Sequence, residues 1–171
     1  MTAIFRDRRR GTFDALKRFF GLATCALVAA SCTSSSYDVA AMEASRSGNQ
    51  KAAISLAKKE VARFSTPDQC SRSKSYNCGT LALDYSSLAE YQILGGDETA
   101  GESSFSRAKG ALGWMDSANR PSATGMVYRD VSEAYWKVGD RARATAVFNE
   151  GRAAGGDSWL FTASAAEAGP S

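Results

Sequence analysis

Histidine is absent from all 171 residues of the chain. That removes Ser-His-Asp and Cys-His catalysis and nearly every kind of zinc site. Proline occurs only three times, so few positions force a break in a helix. No stretch alternates β-branched or aromatic residues with polar ones for long enough to suggest a half-buried strand. No Walker loop is present, and no glycine-rich dinucleotide turn follows a strand. In residues 32–171 no long run of like charge appears, and nothing in that stretch argues for a nucleic-acid partner, which would want a basic patch. The longest apolar run, Phe19 to Ala30, has 12 residues. A membrane-spanning helix needs about 20.

That short run follows a basic stretch. Arg6, Arg8, Arg9, Arg10, Lys17 and Arg18 stand against Asp7 and Asp14 alone, the pattern of an export signal. Arg9-Arg10 is a weak match to the twin-arginine route, because Gly11-Thr12 displace the apolar Phe13. The whole-chain excess of +3 lies in this stretch, and residues 32–171 are close to neutral. Two cleavage readings follow. One is an ordinary cut near Ala30 or Ser31. The other comes from the junction Ala29-Ala30-Ser31-Cys32 after the apolar run, which resembles the bacterial lipoprotein signal. Ala29 departs from that pattern, where leucine is commonest.

The resemblance implies a signal peptide over 1–31, lipid on Cys32, and a short tether over 32–36. Thr33 in place of aspartate then implies the outer rather than the inner membrane, by the enteric sorting pattern. Cysteine parity agrees with lipidation. Cys25 leaves with the signal, and lipid on Cys32 leaves Cys70 and Cys78 as one pair. In an exported protein that pair is expected to be a disulfide stapling a long connection. A redox-active pair is the alternative.

Apolar spacings of three and four predict six main helices. They are expected over 37–46, 50–64, 81–94, 98–114, 122–138 and 141–153, with a capping helix or flexible tail over 157–171. The third helix carries the stripe Leu81, Tyr85, Leu88, Ala89 and Gln92. The fifth carries Val127, Val131, Ala134, Tyr135 and Val138. Turn glycines at Gly48, at Gly95 or Gly96, and at Gly139 mark an internal repeat of helix pairs.

The segment Glu133 to Ala153 resembles a tetratricopeptide repeat. Tyr135 matches the late tyrosine of the first helix, and Gly139 the turn. Ala144 matches the small residue where helices cross, Phe148 the aromatic one turn later, and Gly151 a position usually taken by alanine. Looser units place Gly48 and Ala53, then Gly101, Phe105 and Ala108, at corresponding positions. The resemblance implies an all-α fold of about three stacked antiparallel helix pairs over 37–156, a right-handed solenoid with a short C-terminal cap. An irregular six-helix bundle is the alternative. In that family the first helix of each pair lines a concave groove. Carried over, this points to Asp38, Met42, Ser86, Glu90, Arg129, Glu133, Trp136 and Lys137 as partner-binding residues.

Other motifs are weak. Ser71-Arg72-Ser73-Lys74 has the bare spacing of a penicillin-binding enzyme but no Lys-Thr-Gly companion. Asp97, Glu98 and Glu102 fit a favourable helix start better than a metal site. No catalytic residue, cofactor or metal is implied. The expected function is a non-catalytic periplasmic scaffold binding another cell-envelope protein or peptide segment, held at the membrane by lipid on Cys32. A small envelope hydrolase or peptidoglycan-related enzyme is the alternative reading.

Overall fold

The computed structural model describes residues 36–66 and 69–167. The expected signal over 1–31, Cys32 and most of the expected tether lie outside them. The chain divides between Ser35 and Ser36, and the core belongs wholly to the unit that follows. Among the described residues all regular structure is helical. The α-helices are α1 (Tyr37–Arg46), α2 (Gln50–Phe64), α3 (Ser75–Leu94), α4 (Glu98–Leu112), α5 (Arg120–Lys137), α6 (Arg141–Ala153) and a short α7 (Ser164–Glu167). They pack as three antiparallel pairs, α1/α2, α3/α4 and α5/α6. The central helix α3 also touches α2 and α5, which stacks the pairs. A 3-10 turn (Leu160–Thr162) and α7 fold back on α5 and α6, burying Leu160, Ala163 and Ala165.

One turn chemistry recurs in all three pairs. Gly48, Gly96 and Gly139 adopt φ of 81°, 84° and 89°, a left-handed conformation that glycine takes without steric cost. Gly96, not Gly95, is therefore the turn residue of the second pair. The next residue then caps the following helix. Asn49, Asp97 and Asp140 accept a hydrogen bond from the backbone N–H of Ala52 (3.1 Å), Ala100 (3.1 Å) and Arg143 (2.9 Å).

The crossings within each pair use small residues. Ala41, Ala89 and Ser132 stand at one register before the three glycines, and Ala53, Gly101 and Ala144 at one register after them. All six are buried. Ser132 Oγ donates to the Ala144 carbonyl at 2.9 Å, so the α5 and α6 backbones nearly touch. At Gly101 a Cβ would lie 2.6 Å from Ile93 Cγ1, and at Gly151 2.6 Å from Tyr128 Cβ. Phe105 stacks edge-on to Tyr128 at 5.1 Å, which ties α4 to α5.

Several boundaries differ from expectation. α3 starts at Ser75 rather than Leu81. Cys70 and Cys78 are joined in a disulfide, with Cα atoms 4.7 Å apart, so the polar Ser75-Tyr76-Asn77 turn is held against a fully buried Cys78. α4 stops at Leu112, before Gly113. α5 begins at Arg120, because Pro121 in the first turn lacks only an N–H that has no helical partner there. Val138, expected in the α5 stripe, follows the helix end and is exposed.

Candidate functional site

The first helices of the three pairs lie side by side and leave a groove of about 470 Å³ on their common face. Met42 and Arg46 come from α1, Glu90, Tyr91 and Leu94 from α3, and Arg129, Asp130 and Lys137 from α5. Ser45, Gln50 and Ser87 complete the lining. Four of the residues expected to bind a partner, Met42, Glu90, Arg129 and Lys137, are thus brought together.

The other four stand elsewhere. Ser86 is fully buried and donates to the Leu83 carbonyl at 2.9 Å. As a residue of the central helix it is covered from both sides, so its assignment to the groove is corrected. Asp38 is half-buried and turned towards Glu60 and Asp84. Glu133 accepts the backbone N–H of Ser164 and so holds the C-terminal segment. Trp136 packs against the core, with the Arg141 guanidinium 3.6 Å from its ring centroid.

Charge inside the groove is mostly matched. Lys137 Nζ lies 2.9 Å from Glu90 Oε1, and Arg129 reaches Asp130 Oδ1 at 2.6 Å through Nη2 and 2.9 Å through Nε. Burial raises the Asp130 carboxyl above its ordinary pKa, against the pull of Arg129. Arg46 makes no ion pair among the described residues. Tyr91 is pushed up to about 12 by burial and then by Glu90, Asp38 and Asp130, so it remains a neutral hydroxyl at physiological pH. The surface therefore offers one unmatched cation, one phenol and the apolar side chains of Met42 and Leu94. Those groups can make cationic, hydrogen-bond and apolar contacts.

Ser45, Arg46, Gln50, Ser87, Tyr91, Leu94 and Asp130 were missed from sequence. A signal existed for three of them. Arg46 and Leu94 precede their turn glycines by the same step as Lys137, and Ser45 precedes Gly48 by the same step as Trp136 does Gly139. Tyr91 reads from its spacing as core, and it is 7% exposed.

A second polar cluster sits at the start of α1. Glu60, on α2, is 3% exposed, accepts the Tyr37 N–H at 2.9 Å and binds Arg63 at 2.9 Å. Asp84, on α3, is 4% exposed, and its Oδ2 has no hydrogen-bond partner. Its pKa is raised to about 7 by burial, then by Asp38 and Glu60, with Arg63 opposing. No group of three His, Cys, Asp or Glu among the described residues has the geometry to hold a metal. The acidic start of α4 is engaged across the second and third pairs, with Glu98 bound to Arg143 and Glu102 3.6 Å from it.

Among the described residues no helix is long and apolar enough to cross a membrane. No family model matches the chain, and no curated protein or solved structure matches it either.

Proposed function

We propose that the protein is a non-catalytic, tetratricopeptide-like scaffold, anchored by lipid on Cys32 and facing the periplasm, that binds another cell-envelope protein through the groove. One observation carries this reading. The three first helices, each followed by the same glycine turn and capping residue, line a single groove of about 470 Å³. Repeated helix pairs build extended surfaces of this type, and stacking makes the surface continuous. Its mixed lining, with Met42 and Leu94 beside Glu90, Arg129 and Lys137, suits a peptide segment with both apolar and charged groups.

The outer membrane is the proposed site, from Thr33 after the lipid-bearing cysteine. The disulfide between Cys70 and Cys78 fits an oxidising compartment.

Site-specific cross-linking in whole cells tests the reading, with a photoreactive residue at Met42 or Leu94 and a control at exposed Ala62 on α2. The groove positions should capture one defined envelope protein that Ala62 does not. Equal capture from all three positions, or from none, defeats the scaffold reading. The anchor is tested separately. Cys32→Ala should release the protein from the membrane fraction, and a mutant that sediments as the wild type does removes the lipid.

A further inference from the structure

The outer face of α2 is cationic. Lys51, Lys58, Lys59 and Arg63 are all exposed on it. The only acid of the helix, Glu60, is buried and already bound to Arg63. Lys51, Lys58 and Lys59 form no ion pair among the described residues. Across from them, Arg107 of α4 is likewise without a carboxylate partner, its guanidinium 5.9 Å from the Tyr85 ring centroid. Between α2 and α4 runs a cleft of about 340 Å³, floored by Tyr85, Leu88 and Gln92 of α3. Lys58, Arg107 and the hydroxyls of Ser103 and Ser104 line it, and no carboxylate does. With its amide nitrogen turned to Ser104, Gln92 has three acceptors for its two N–H groups: Ser104 Oγ at 2.6 Å and the carbonyls of Ala100 and Leu88 at 3.0 and 3.2 Å.

This face also lies where the chain enters the domain. The first N–H of α1, on Tyr37, binds Glu60 near the end of α2, and the Lys59 ammonium is 5.6 Å from the Tyr37 ring centroid. Five residue steps separate Cys32 from Tyr37, a reach of about 18 Å at most. An acyl group on Cys32 therefore keeps the end of α2 within that distance of the bilayer. Aromatic groups flank the cations there: Tyr37 is exposed, and half-buried Phe64 has the Arg63 guanidinium 5.7 Å from its ring centroid. Basic side chains with aromatics beside them are the composition that settles at a headgroup layer.

We infer that the Lys58–Lys59–Arg107 face is a docking surface for anionic phospholipid, which lays the domain on the bilayer with the three-helix groove left free. It rests on the lipid-anchor reading. Long-range attraction draws the cations to the anionic surface. The cleft between Lys58 and Arg107 takes one headgroup phosphate, with Ser103 and Ser104 as hydroxyl donors. The occupant is a lipid surface rather than an acidic protein, because the covalent anchor already brings this face, and no other cationic cluster described here, within reach of lipid. Anchor and patch together supply the two signals that stable attachment needs.

The test uses the chain from residue 32 with Cys32→Ala, so that no acyl group contributes, and co-sediments it with phosphatidylcholine vesicles with and without phosphatidylglycerol at low ionic strength. Binding should require phosphatidylglycerol and disappear in high salt. Lys58→Glu/Lys59→Glu/Arg107→Glu should lower partition at least about tenfold. Lys58→Gln/Lys59→Gln/Arg107→Gln, the milder change for folding, should give a smaller loss in the same direction. Arg152→Glu, on α6, should bind like the parent chain, and circular dichroism verifies the fold of each variant. Equal binding to both vesicles, full binding by the folded patch variants, or an equal loss per charge in Arg152→Glu overturns the proposal. Because the anchor is absent throughout, failure of the lipid on Cys32 would show only in cell fractionation and would leave this measurement intact.

Discussion

Replacing Asp84 by asparagine isolates a carboxyl group that the fold buries without a full set of partners. In the native state its pKa is raised to about 7, whereas the ordinary value is 3.8. The folded chain therefore binds this proton more tightly than the unfolded chain does. Between those two values the folded state holds more protons, so stability falls as pH rises. The contribution is complete below about pH 4 and is lost once the pH passes about 7. The gap from 3.8 to about 7 sets a ceiling of about 4 kcal/mol. Part of that loss falls below pH 5 and water entry on ionisation lowers the rest, so we expect a wild-type loss of about 1–2.5 kcal/mol between pH 5 and pH 8 from this group. Asparagine has nearly the same shape and cannot ionise. Relative to the wild type, Asp84→Asn should gain that amount of stability between pH 5 and pH 8. Asp38 is raised in the same direction, so the slope should flatten without vanishing. Urea titrations of both proteins at the two pH values measure the difference. An unchanged slope would refute the argument that Asp84 is neutral in the native state.

Gly151→Ala should destabilise by about 1–3 kcal/mol, since its Cβ would meet Tyr128 Cβ at 2.6 Å. Gly110→Ala, in the last turn of α4 with nothing within 4 Å, should instead stabilise by about 0.5–1 kcal/mol. Ala144→Leu should cost about 1–3 kcal/mol by overpacking the crossing where Ser132 meets the Ala144 carbonyl, and a thermal melt reads all three. Trp136→Ala should lower stability by about 2 kcal/mol, as befits a half-buried ring, and leave groove cross-linking unchanged. Mass spectrometry of protein isolated without reductant should show the Cys70 and Cys78 peptides linked; two free thiols would contradict the structure.

The helix pairs were legible because their punctuation is local. A glycine that must reach positive φ, followed by a capping Asn or Asp, marks a helix end from a few residues alone. Three helices accordingly run between the expected bounds, 37–46, 50–64 and 141–153. The start of α3 was not legible, since Ser75-Tyr76-Asn77 has no apolar periodicity and is held by a cross-link from Cys70. In the groove, residues one turn apart on one helix were easier to place than residues whose exposure depends on neighbours. Ser86 and Trp136 show why. Helical spacing fixes the direction in which each points along its own helix. Only the packing of adjacent elements decides that Ser86 is covered on both sides and that Arg141 folds over Trp136.

The first pair diverges from the other two in a way that joins these observations. After each turn glycine, Glu60, Ala108 and Gly151 occupy one register. The second and third pairs keep a small residue there, and Gly151 has no room for a methyl group. In the first pair the same position holds a buried carboxylate. Its surroundings give the reason. Ser36 supplies no side-chain cap to α1, and Glu60 instead accepts the Tyr37 N–H at 2.9 Å from the neighbouring helix. A carboxylate at a helix N-terminus also meets the positive end of the helix dipole. One side chain thus fixes the end of α1 that the tether enters and holds Arg63 on the cationic side of α2. Asp84 feels the same side chain: beyond its burial, the charges of Asp38 and Glu60 hold its pKa up. An alanine at position 60 would remove one negative charge beside Asp84, and the pH dependence carried by Asp84 should weaken with it.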